Sequence, residues 1–330
     1  MSIKREAYLC LSAMLRAREP KLLNNDRAAR MLDCSGFEEA AKILTDCGYA
    51  DLSQLSAGEI ESSLQSHRSE IFAEMERMSP QREVVDVFRM KYDYHNIKAI
   101  LKSEAMELDP RRLLSDSGRI SGEKLLGIYH NEQWKDMPGK LGEAAKEAAG
   151  VLARTNNPQL ADFLLDKAYF SEIRDAAESA DCAFLSGYAA ILTDTANLKA
   201  AVRTVRMKKN ADFLAEALVP GGSVPAEKIL NASGKEAVCA LYTSTPLEKA
   251  AALGAEAMDG GSMTAFELEC DNAVNRYLRS ARRVSYGPEA VIAYLAAVEG
   301  EITAVRMILT GRLAGIAPQT IRERLRDLYA

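Results

Sequence analysis

Val87-Phe-Arg-Met-Lys-Tyr-Asp93-Tyr-His-Asn-Ile-Lys98-Ala-Ile-Leu-Lys102 decides the fold, because its apolar residues fall on one face of an α-helix. The stripe reads Val84, Val87, Met90, Tyr94, Ile97, Leu101, with steps of 3, 3, 4, 3 and 4 residues. The same pattern is written twice more. Leu192-Thr-Asp194-Thr-Ala-Asn197-Leu-Lys199-Ala-Ala-Val-Arg203 lies on the stripe Leu185, Tyr188, Ile191, Thr195, Leu198, Val202. Val298-Glu-Gly-Glu301-Ile-Thr-Ala-Val-Arg306-Met-Ile-Leu309 lies on Ile292, Leu295, Val298, Ile302, Val305, Leu309. Asp93 to Asp194 is 101 residues, and Asp93 to Glu301 is 208. Each copy also places a base five residues after its acid: Lys98, Lys199 and Arg306.

Amphipathic helices resemble one another, so the stripe alone would be weak evidence of duplication. The punctuation strengthens it. Pro80 and Pro288 are 208 residues apart, as are Pro110 and Pro318. The first pair suits the first turn of a helix, where a missing N–H costs little, with Ser79 and Gly287 as N-caps. Gly118-Arg-Ile-Ser-Gly-Glu-Lys-Leu125 matches Gly222-Ser-Val-Pro-Ala-Glu-Lys-Ile229 at an offset of 104. The chain is therefore expected to be all-α, with three related helical units of about 100 residues, 1–110, 111–215 and 216–330, arranged with pseudo-three-fold symmetry. Thr195 interrupts the second stripe, and Ala304 stands where the other copies have Asn96 and Asn197.

Composition narrows the function. The 330 residues are 48% hydrophobic and 27% charged, enough for a large core. A net charge of −5 argues against a general nucleic-acid binder, and no aromatic ladder accompanies the basic runs. No stretch has the 18 or so uncharged apolar residues of a membrane span, and the opening Met1-Ser-Ile-Lys-Arg-Glu6 has no leader-like apolar run. Cys10, Cys34, Cys47, Cys182, Cys239 and Cys270 contain no C-x-x-C pair. With only His67, His95 and His130 beside them, they supply no clustered zinc ligands.

Catalytic signatures are missing. Gly139-Lys140 is followed by Leu141 and Gly234-Lys235 by Glu236, so neither completes a phosphate-binding loop. There is no G-x-G-x-x-G, H-E-x-x-H or G-x-S-x-G. His95 is matched by Ala196 and Thr303 in the other copies, which speaks against a catalytic role. No catalytic, cofactor-binding or metal residue is expected. The residues singled out instead are basic. Lys98, Lys199 and Arg306 are expected to line a central cavity or to brace neighbouring helices. Arg203, Arg206, Arg282 and Arg283 are expected either as solvated helix ends or as docking points for an acidic partner.

The last segment runs Gly287-Pro-Glu-Ala-Val-Ile-Ala-Tyr-Leu295, Glu299 to Leu309, Thr310-Gly-Arg-Leu-Ala-Gly-Ile-Ala-Pro318 and Ile321-Arg-Glu-Arg-Leu325. Taken with Tyr92 to Lys98, Asn197-Leu-Lys199, Met14-Leu-Arg-Ala-Arg18 and Leu22-Leu23, it resembles the C subunit of prokaryotic V/A-type rotary ATPases, relatives of the vacuolar ATPase d subunit. The resemblance spans most of the chain and is sharpest at the C-terminal block. It implies an all-helical funnel of three domains that performs no chemistry and needs no cofactor. It implies a peripheral place on the cytoplasmic face of a membrane complex. Its expected partners are the D and F shaft subunits and the membrane rotor ring of c/K subunits, with one copy per hetero-complex and no nucleic acid. A helical adaptor of some other assembly is the alternative reading.

Overall fold

The computed structural model describes residues 4–330, so the first three residues of the leader reading lie outside the described residues. Among the described residues the regular structure is helical, as expected. In chain order the α-helices begin with α1 (Leu9–Arg18), α2 (Asn25–Asp33), α3 (Phe37–Ile43), α4 (Ala57–Met78) and α5 (Arg82–Ala105). There follow α6 (Gly122–His130), α7 (Leu141–Thr155), α8 (Pro158–Ser179), α9 (Ala183–Arg206), α10 (Ala211–Ala217) and α11 (Ala226–Leu230). The chain closes with α12 (Lys235–Leu241), α13 (Glu248–Met258), α14 (Met263–Arg279), α15 (Pro288–Leu313) and α16 (Pro318–Arg322).

The three repeated segments are α5, α9 and α15. Every stripe position on them is buried, Thr195 included. The spacing read from sequence is thus the spacing that packs. Pro288 occupies the first turn of α15 behind Gly287, whose φ of 142° a side chain would strain. Pro80 departs from the expectation. It sits in the link between helices, Ser79 ends α4, and α5 begins at Arg82. Ser79 is the C-cap of α4 because its backbone N–H donates to the Met75 carbonyl, and its Oγ bonds the peptide groups of Gln81 in the link, not an N–H of α5.

Two compact units make up the chain, one from residues 1–85 with 271–330 and one from 86–270. In the first, α15 packs against α1, α2, α3 and α4. Seventeen of the 24 residues of α15 from Pro288 to Gly311 are buried and none is exposed, and a helix apolar around most of its circumference belongs inside a core. A capping box starts α4. Ser56 Oγ donates to Glu59, accepts from the Glu59 N–H, and the Glu59 carboxylate takes the Ser56 N–H.

In the second unit α8 packs on α7 and α9, and α13 packs on α9 and α12. One cluster there gathers Tyr94, Ile97, Ile100 and Leu101 of α5 with Leu125, Leu126, Leu141, Ala145 and Leu165. The three-unit division of the sequence remains a proposal about ancestry, distinct from these compact units.

Leu198, on the second stripe, is fully buried. Leu198→Ala should lower unfolding free energy in urea by about 2–5 kcal/mol, the usual cost of a lost leucine core contact plus its cavity. A loss under about 1 kcal/mol would mean that the stripe is not a packing surface.

Candidate functional site

Each of the three repeated helices buries a carboxylate at the matched position, Asp93 on α5, Asp194 on α9 and Glu301 on α15, and α15 also buries Glu289 in its first turn, where it pairs with Arg5. A buried charge must find donors, and each acid finds them in a loop that precedes a short helix. Asp93 accepts the Arg119 backbone N–H at 2.9 Å and its Nε at 2.6 Å, just ahead of α6. Asp194 accepts the N–H groups of Ser223 and Val224, both at 3.0 Å, just ahead of α11. Glu301 accepts the Leu23 N–H, just ahead of α2, and the Tyr49 hydroxyl at 2.8 Å. The arrangement recurs three times. For the third helix, the loop comes from the other end of the chain.

Two of the clasps have a second point. Asn96 donates to the Ser115 carbonyl and accepts its N–H, both at 2.8 Å. Asn197 does the same with Val219, again at 2.8 Å twice. A side-chain amide thus stands in for a strand partner and satisfies both groups of a buried peptide. Ala304 cannot, and at Glu301 the Tyr49 hydroxyl supplies the second bond.

Loop and acid are matched in length. A Cβ on Gly118 would lie 2.2 Å from Asp93 Oδ1, and one on Gly222 would lie 2.1 Å from Asp194 Oδ1. Glycine lets those loops come within reach of the short aspartate. The third loop carries Leu22 and Leu23, and there the acid is a glutamate, one methylene longer.

Burial raises the pKa of all three acids. Asp93 is pushed up to about 6 even though Arg119 lies against it, and Glu301 to about 7 against the opposing pull of the Leu23 N–H and Tyr49 hydroxyl. Asp194 moves in the same direction. Around Asp93 the network continues. Arg119 bridges to Glu172 at 2.5 Å, and the Tyr94 hydroxyl donates to the other Glu172 oxygen at 2.8 Å. Arg119, Glu172 and Tyr94 are all buried, so one guanidinium serves two carboxylates.

The basic residues expected from sequence lie elsewhere. Lys98 pairs with Asp166 of α8 at 2.6 Å. Arg306 holds Glu61 of α4 through two bonds, 2.6 and 2.9 Å. Lys98 thus ties α5 to α8, the helix before α9, and Arg306 ties α15 to α4, the helix before α5. Lys199 is half-buried on α9. Arg203 pairs with Glu267 at 2.6 Å. Arg206 donates to the carbonyls of Ala257 and Gly261, where a cation suits the C-terminal end of α13. Arg282 is exposed, with its guanidinium 5.2 Å from the Tyr329 ring centre, and Arg283 is exposed. His95 approaches the Leu113 carbonyl at 3.2 Å. These seven basic residues do not form one cluster around the acids. Sequence reasoning missed Arg119, Glu172 and Tyr49, whose separations from the acids carry no periodicity. The Asp93/Asn96 and Asp194/Asn197 pairs with Gly118 and Gly222 were the available signal.

The arrangement is suited to holding loops on helices. Among the described residues no group of three or more His, Cys, Asp or Glu side chains is placed to hold a metal ion, and all six cysteines are free thiols. No described helix is long and apolar enough to cross a membrane.

Comparison with known proteins agrees along almost the whole chain. The family model described as ATP synthase (C/AC39) subunit matches residues 11–324. The C subunit of the V-type sodium ATPase of Enterococcus hirae is 22% identical over 98% of this chain and 99% of its own. The C subunit of the A-type ATP synthase of Methanocaldococcus jannaschii is 23% identical over 99% of this chain and 88% of its own. The C subunit of the V-type ATP synthase of Thermus thermophilus is 23% identical over 59% of this chain and 62% of its own.

The clasps make two testable statements. Gly222→Ala should cost about 1–3 kcal/mol in urea unfolding because the Asp194 carboxylate must move. Asn197→Ala should cost a similar amount, about 1–3 kcal/mol, because it orphans the Val219 peptide. Wild-type stability for either would mean that the loop is not held there. The second statement concerns pH. Glu301 titrates near 4.5 unfolded and about 7 folded, so between those values the folded state keeps a proton that the unfolded state has lost. Its contribution to stability therefore falls as pH rises through that window and is constant above it. Unfolding midpoints measured across the window should fall less steeply in Glu301→Gln than in wild type. An unchanged slope would contradict the raised pKa.

Proposed function

This chain belongs to the ATP synthase (C/AC39) subunit family, and on that premise we propose that it is the non-catalytic central-stalk component of a V/A-type rotary ATPase or ATP synthase. In this role it joins the D/F shaft to the membrane rotor ring and passes torque between them during proton or sodium transport. It sits peripherally on the cytoplasmic face as one copy in the complex, and it needs no nucleotide or cofactor. The carrying observation is the family match over residues 11–324, together with a relative aligned from end to end.

The physical character of the chain supports the reading. A torque coupler must deform little under load, and close-packed helices deform little. The three buried acids fix loops to the long helices by hydrogen bonds that a low-dielectric interior strengthens. The ties from Lys98 to Asp166 and from Arg306 to Glu61 brace helix against helix. Two stable partners call for interfaces of roughly 1,200–2,000 Å² each or more, and a surface from 330 residues can supply both.

An affinity-tagged chain, expressed in its own host and recovered from detergent-solubilised membranes, should carry both shaft subunits and the ring. Recovery of the intact chain without either would overturn the proposal and favour an adaptor of another assembly. Calorimetric titration with ATP should show no saturable heat, whereas saturable binding would make the chain something other than a passive coupler.

A further inference from the structure

The three long helices end in the same way. At the end of α5, Leu108 donates its N–H to the Ser103 carbonyl at 2.8 Å. At the end of α9, Lys209 donates to Thr204 at 3.0 Å, and at the end of α15, Ile316 donates to Gly311 at 2.9 Å. The residue inside each closing turn has positive φ: Glu107 at 56°, Lys208 at 55° and Gly315 at 69°. Glu107 to Lys208 is 101 residues and Glu107 to Gly315 is 208, the separations of the buried acids. This closing turn normally folds the apolar residue after it back onto the helix.

Here the apolar residues stand in solvent. Among the described residues nine large apolar side chains are exposed, and seven of them belong to these helix ends. Met106, Leu108 and Leu113 at the α5 end are 67%, 58% and 57% exposed. Val205 and Met207 at the α9 end are each 47% exposed. Leu313 and Ile316 at the α15 end are 41% and 44% exposed. Single exposed leucines need no explanation, but a concentration at one kind of site, three times over, marks surfaces kept for contact. Exposed cations accompany two of the ends: Arg112 beside Leu113, and Lys208 and Lys209 beside Met207. Among the described residues Arg112 and Lys208 make no ion pair, and Lys209 lies over the Phe213 ring.

We infer that the capped ends of α5, α9 and α15 are docking elements for a partner built of identical subunits, each of which offers apolar side chains with a carboxylate beside them. Repetition favours that occupant. Within the 86–270 unit, a partner present in many copies can meet the α5 and α9 ends with the same surface, whereas a single shaft offers each end a different one. At the α9 end Lys208 and Lys209, which form no ion pair among the described residues, give the sign of the charge on the partner, whereas Arg112 at the α5 end has Asp109 beside it. The inference rests on the reading in the preceding subsection, under which this partner is the membrane rotor ring.

Binding of the full-length chain to purified ring and to purified shaft, each in detergent, tests it. The variant Met106→Ser, Leu108→Ser, Val205→Ser, Met207→Ser changes only exposed side chains, and its helical melting curve should match wild type. Its affinity for the ring should fall about tenfold or more, with shaft affinity unchanged. The charge variant Lys208→Glu, Lys209→Glu should weaken ring binding at low salt, and added salt should narrow its difference from wild type. Ring affinity within about twofold of wild type for the serine variant would overturn the inference, because truncated anchors should cost more than that. So would a loss confined to the shaft, or wild-type adsorption to ring-free phosphatidylglycerol vesicles that the serine variant loses while keeping the ring. Wild-type chain that binds neither ring nor shaft would instead refute the function itself.

Discussion

A carboxylate in the middle of a packed helix is tolerated only where donors reach it, and the rest of this structure follows from meeting that condition three times. Asp93, Asp194 and Glu301 each draw a loop onto a long helix, because the loop N–H groups are the donors they lack. The loop then fixes where the next short helix starts. Removing an acid would strand buried N–H groups, and removing the donors would strand a charge. Acid and loop therefore depend on each other, and the chemistry of each loop answers its acid. Gly118 and Gly222 admit an aspartate, and the Leu22-Leu23 loop is reached by a glutamate.

That constraint also explains why the helices were easier to read than their partners. The stripes on α5, α9 and α15 follow from helix geometry alone, and every position read from them is buried. The start of α15 was legible because Gly287 and Pro288 limit the backbone directly. Pro80 was misplaced because the same residue serves equally in a link, and nothing local distinguishes the two uses. Glu301 illustrates the deeper limit. Its donor on Leu23 lies 278 residues away, so no spacing rule connects them. Asn96 and Asn197 were visible as repeated letters, but their use as clamps on a peptide required the fold.

The basic residues teach the complementary lesson. From sequence, Lys98 and Arg306 read as cavity-lining or helix-bracing, and Arg203 and Arg206 as solvated helix ends or docking points. Lys98 and Arg306 pair with Asp166 and Glu61 on other helices, Arg203 pairs with Glu267, and Arg206 donates to the carbonyls of Ala257 and Gly261. The side chains left most prominent at the helix ends are apolar, and composition alone gave no reason to look for them there. A connector needs both kinds of residue. Internal ties make it stiff, and surfaces without internal partners let it hold others.

The central claim is that this chain couples two moving parts and contributes no chemistry. The most direct test is the ratio of ions transported to ATP hydrolysed in vesicles carrying the reconstituted complex, with and without this chain. The account predicts that ATP hydrolysis by the soluble sector survives omission while transport driven by it is lost, and that adding the purified chain restores the ratio. An unchanged ratio in its absence, or hydrolysis that requires it, would contradict the account.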